Sequence, residues 1–69
     1  MGAHRVELLV RDIIAEYGLA CELVSVQVQD DVWQVVVRHN DRRVIQFEVP
    51  RGTPTQAREL VKARLESEC

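Results

Sequence analysis

The sequence predicts an α+β fold of two layers, α-β-β-β-α, in which a three-stranded antiparallel sheet of order 1-2-3 carries both helices on one face. Three observations lead there. Between Cys21 and Val49 three short apolar runs alternate with a period of two, as strands with one face on a core do. On either side of them, apolar residues recur at helical spacing. Residues that favour turns separate the segments.

The first helix is expected over about 5–17, where Val6, Leu9, Val10, Ile13 and Tyr17 form one stripe that Leu8 and Ile14 widen. Gly18 then supplies a left-handed cap. The strands are expected at about 21–29, 32–39 and 43–49. Val24, Val26 and Val28 face inward from the first, Trp33, Val35 and Val37 from the second, and Ile45, Phe47 and Val49 from the third. Opposed residues of an antiparallel pair share a face, so Val28 pairs with Trp33, Val26 with Val35 and Val24 with Val37 around an Asp30-Asp31 turn. Val37 pairs with Ile45, Val35 with Phe47 and Trp33 with Val49 around an odd-numbered connection centred on Asn40, Asp41 and Arg42. After Pro50-Arg51-Gly52, the stretch Thr53-Pro54-Thr55-Gln56 combines a cap, a first-position proline and a capping box. The last helix follows over about 54–66, burying Ala57, Leu60, Val61 and Leu65.

With 69 residues the chain is expected to form a single domain, 1–69, near the size at which one core is marginal, so that a homodimer would help it. Its apolar fraction of 46% is more than a disordered chain of this charge carries. A formal charge of -2 removes the overall attraction that most nucleic-acid binders use, leaving only a local patch to do that work. Cys21 and Cys69 are too few for a disulfide framework and have no zinc-like spacing. They read as reduced thiols of a cytoplasmic protein, with Cys21 on the outer sheet face and Cys69 free to crosslink two molecules. No apolar signal core or membrane span is visible.

The element order and length resemble the double-stranded-RNA-binding domain, and the resemblance covers the whole chain as topology. It implies nucleic-acid contacts from the first helix, the first strand loop and the opening of the last helix. Here that loop is Asp30-Asp31, and the last helix opens with Arg51, Gly52, Thr53 and Pro54 in place of a lysine cluster. Val49-Pro50-Arg51-Gly52-Thr53 resembles the approach to the last helix in small RNA-cleaving toxins of the HicA type. Their Gly-Ser-His motif does not occur, and His39 beside a turn does not replace it.

Two surfaces are candidates for function. Arg38, Arg42 and Arg43 at one hairpin end, with Arg51, Arg58 and Lys62 around the start of the last helix, are candidate anion or nucleic-acid contacts. Ser25, Gln34, Val36, Val44 and Gln46 on the outer sheet face, with Leu23 adding apolar content, are candidate protein contacts. No nucleophile, base and orienting group can be assembled, so no catalytic, cofactor or metal residue is assigned. The favoured expectation is a small non-enzymatic interaction module of a bacterial or phage-like kind, acting through the outer sheet face or by self-association. A nucleic-acid-binding domain is the alternative.

Overall fold

The computed structural model describes residues 2–69, so Met1 of the expected domain lies outside the described residues. Helix α1 spans Ala3–Tyr17, strands β1, β2 and β3 span Cys21–Gln29, Val32–His39 and Val44–Pro50, and helix α2 spans Pro54–Glu68. The sheet is antiparallel in the order β1-β2-β3, giving the α+β architecture that the periodicities predict. Both helices lie on its inner face, α1 against β1 and α2 against β3, and they pack on each other. The core is one cluster. It joins Val6, Val10 and Ile13 of α1 and Ala57, Val61 and Leu65 of α2 to Trp33, Val35, Val37, Ile45, Phe47 and Val49. Leu60 is only half-buried, and Tyr17 at the end of the α1 stripe is exposed.

The helix ends follow from local chemistry. Gly18 sits at φ 59°, and the N–H of Leu19 donates to the Ile14 carbonyl at 3.0 Å, closing a left-handed cap that a side chain would strain. At the start of α2, the Thr53 hydroxyl accepts from the Gln56 N–H at 3.2 Å. The Gln56 side chain in return accepts from the Thr53 N–H at 3.1 Å, so two amides that the helix cannot satisfy are satisfied reciprocally.

The β2–β3 register is the expected one, with Trp33 opposite Val49, Val35 opposite Phe47 and Val37 opposite Ile45. Its connection is a three-residue turn. The His39 N–H donates to the Arg43 carbonyl and the Arg42 N–H to the His39 carbonyl, both at 2.8 Å, while Arg42 takes φ 74°, the conformation that usually calls for glycine. Asp30 carries the other positive φ, 55°, in the Asp30-Asp31 turn. Aspartate tolerates that region because its short polar side chain bonds locally.

The β1–β2 register corrects the expectation at one end. Val28 pairs with Trp33 and Val26 with Val35, but Leu23, not Val24, lies opposite Val37, because the strand bulges between Leu23 and Ser25. A bulge inserts one residue and reverses the parity of everything before it. Val24 therefore turns outward, 54% exposed, and Leu23, expected on the outer face, packs half-buried against the core. Val28 keeps its register yet is 53% exposed at the far end of the strand, away from the core.

The same parity change moves Cys21 from the expected outer face to the interior, at 8% exposure. There it is bonded to Cys69, with 6.3 Å between the Cα atoms, so the expectation of two free thiols is overturned. The partners meet because α2 runs back along the sheet and ends beside the start of β1. The bond closes a loop across a separation of 48 residues, most of the chain. By the chain-entropy relation such a loop stabilises the fold by about 4 kcal/mol.

Candidate functional site

The outer face of the sheet is covered by neither helix. Its rows follow from the register: Glu22, Arg38 and Val44; then Ser25, Val36 and Gln46; then Gln27, Gln34 and Glu48. All five candidate protein contacts, Ser25, Gln34, Val36, Val44 and Gln46, lie on this face. The bulge adds Val24 beside Ser25, and Val44 is a diagonal neighbour of Val36. Val24, Val36 and Val44 thus form an apolar stripe across all three strands, with Val44 63% exposed. Val24 was missed in the sequence because its parity assigned it to the core.

Four of the six candidate cationic residues lie at two ends of the molecule, and Arg58 and Lys62 lie along the flank of α2 that faces α1. Arg38, Arg42 and Arg43 sit at the β2–β3 turn, beside the end of α2, whereas Arg51 precedes its start, roughly 20 Å of helix away. Most already have partners. Arg38 pairs with its cross-strand neighbour Glu22, Arg58 reaches Glu16 of α1 at 2.5 Å, and Lys62 lies 3.9 Å from Glu66. Arg43 donates to the Glu68 backbone carbonyl at 2.8 Å, capping the last turn of α2. Arg51 lies over the Trp33 ring at 5.8 Å. Arg42 is the one member of the set whose side chain has no ion pair, hydrogen bond or ring contact among the described residues.

At the turn, Glu22, Arg38, His39, Asn40, Arg42 and Val44 enclose an open depression of about 620 Å³. Asp41 beside it accepts from the Arg43 N–H at 2.9 Å and lies 3.1 Å from the His39 Nδ1. The backbone bond first, and then the neighbouring His39 and Arg43 charges, hold its carboxyl below the ordinary value of 3.8. On the helix side, the Tyr17 hydroxyl first and then Glu66 raise the Lys62 ammonium above its usual 10.5, with Lys62 5.0 Å from the Tyr17 ring centre. Among the described residues no three His, Cys, Asp or Glu side chains gather as metal ligands would, and no helix is long and apolar enough to cross a membrane.

No family model, no curated protein and no solved structure matches this chain.

Proposed function

We propose that this chain is a small non-enzymatic interaction module whose outer sheet face makes weak contact with a partner protein or a second copy. The observation that carries this reading is the Val24–Val36–Val44 stripe on a sheet face that neither helix covers. Apolar side chains in a continuous strip gain more from a protein surface than scattered valines do. The size of the face sets the strength of the contact. Three strands about 4.8 Å apart and some 25 Å long present on the order of 350 Å², under half the roughly 800 Å² per partner of a stable complex. A transient contact is the consistent outcome.

The nucleic-acid reading stands second, because ion pairs occupy Arg38, Arg58 and Lys62 and the remaining cations are split between the two ends. Phosphate binding needs cations that release counterions together along one strip. The closed Cys21–Cys69 bond belongs to an oxidising compartment and so counts against the expected cytoplasmic placement, which would keep both residues as thiols. Alkylation at the moment of lysis, followed by mass measurement, distinguishes the two states.

The outer-face reading is tested by amide spectra recorded from micromolar to millimolar protein. Self-association through the face shifts Ser25, Val36, Val44 and Gln46 with concentration, and a Val24→Lys, Val44→Lys double variant abolishes those shifts. Spectra that do not change with concentration contradict the second-copy version.

A further inference from the structure

We infer that the free edge of β3, together with the flank of α2 beside it, binds an extended acidic segment of a partner protein by strand addition. This goes beyond the outer-face reading and stands without it.

The backbone supplies the first half of the argument. Starting from the His39–Arg43 bond, the alternation of an antiparallel ladder directs the N–H and C=O groups of Ile45, Phe47 and Val49 toward β2. Those of Val44, Gln46 and Glu48 therefore point out of the sheet. Strand β3 pairs with β2 without a bulge, so these groups form a regular row that an added strand can use.

The side chains supply the second half. Arg58 and Lys62 mark the flank of α2 that faces α1, through Glu16 and the Tyr17 ring. The opposite flank, one turn apart along the helix, carries Leu60 and Arg64, and Arg64 lies over the β3 residue Phe47 at 5.7 Å. Between this flank and the end of β3 is a depression of about 380 Å³ lined by Val49, Pro50, Arg51, Gly52, Ala57 and Leu60. No residue of β1, β2 or α1 lines it, so it opens on the free side of β3. An apolar side chain of the added strand fits there.

Charge selects the kind of segment. Arg43, Arg64 and Arg51 are spaced along this side, and none of the three forms an ion pair among the described residues, the charge of Arg43 reaching the Asp41 carboxylate only from beyond contact distance. They are held instead by a backbone carbonyl and by two aromatic rings, contacts that position a guanidinium without neutralising it. Of the nearby acids, Asp41 belongs to the β2–β3 turn, where it is held by the Arg43 N–H and His39, Glu48 to the outer sheet face, Glu59 to the exposed back of α2 and Glu68 to its last turn. The groove is therefore a local cationic strip on a chain whose formal charge is -2.

The test is fluorescence anisotropy, at low and moderate salt, with a labelled, end-blocked peptide in which every second residue, the face turned toward α2, reads aspartate, valine, aspartate and the residues between them are serine. Binding should weaken several-fold as salt rises. Arg64→Gln and Arg51→Gln should each weaken it about tenfold, the loss of one charge-assisted bond. Gln46→Pro, which removes an outward N–H that no folded contact uses, should do the same while the circular dichroism stays native. Val24→Gln, on β1 at the opposite edge of the sheet, breaks the outer-face stripe and leaves peptide binding unchanged, so failure of the outer-face contact and failure of this one are separable. The inference is overturned by absence of binding, by equal binding of a proline-interrupted acidic peptide that cannot form a strand, or by a short RNA duplex binding at these arginines in the peptide's place.

Discussion

β1 and β3 are both edges of one sheet, and the chain treats them differently. β1 is bulged at Val24, its first residue is bonded to the end of α2, and its Glu22 is paired across the strand with Arg38. β3 has no bulge and no such tie, and the helix flank beside it presents arginines without carboxylate partners. An edge strand is a template for pairing, and a bulge is one of the devices that spoil it. Strand pairing with another chain is thus discouraged at β1 and left open at β3.

The largest expected effect comes from removing the tie on β1. A Cys21→Ser, Cys69→Ser double variant should lose about 4 kcal/mol, which lowers the midpoint of thermal unfolding by about 15 °C or more in a chain of this size. Calorimetry of both proteins measures it. A loss of only a few degrees would mean that the last turn of α2 holds β1 without the bond.

A smaller change acts on the bulge itself. Deleting Val24 removes the extra residue, so that Leu23 opposite Val37 and Ser25 opposite Val36 become successive pairs with every side chain on its present face. Stability should change by less than about 1 kcal/mol, while β1 becomes a second regular edge. Sedimentation should then detect self-association stronger than that of a Val24→Ser variant, which loses the same apolar group and keeps the bulge. An unchanged sedimentation profile would remove the bulge from the explanation.

The smallest effect lies at the β2–β3 turn. Because the carboxyl of Asp41 is held below 3.8 in the folded chain, its ionised form contributes stability that is present above that value and lost as pH falls through the lower, folded one. Asp41→Asn should therefore flatten the decline in stability in strongly acidic solution and leave neutral behaviour nearly unchanged. Urea midpoints measured at successive pH values check it.

Much of this fold could be read from the residues. Gly18, the Thr53 to Gln56 box and the alternation in β2 and β3 each state one conformation, and the structure adopts all of them. The bulge could not be read, because Val24 extends an unbroken alternation and no glycine marks the inserted residue. That one residue concealed two others, since the inward turn of Cys21 and the half-burial of Leu23 depend on it, as does the exposure of Val24 itself. The cationic groove was hidden for a different reason. Arg51 and Arg64 are 13 positions apart in the chain, and only the packing of α2 along β3 brings them to one side.

Residue-resolved amide hydrogen exchange of the free protein tests directly whether β3 is an open edge. Ile45, Phe47 and Val49 should be protected by their bonds to β2, while Val44, Gln46 and Glu48 exchange quickly, as amides facing water do. Equal protection along the whole strand would contradict the account, because it would mean that the edge is already paired.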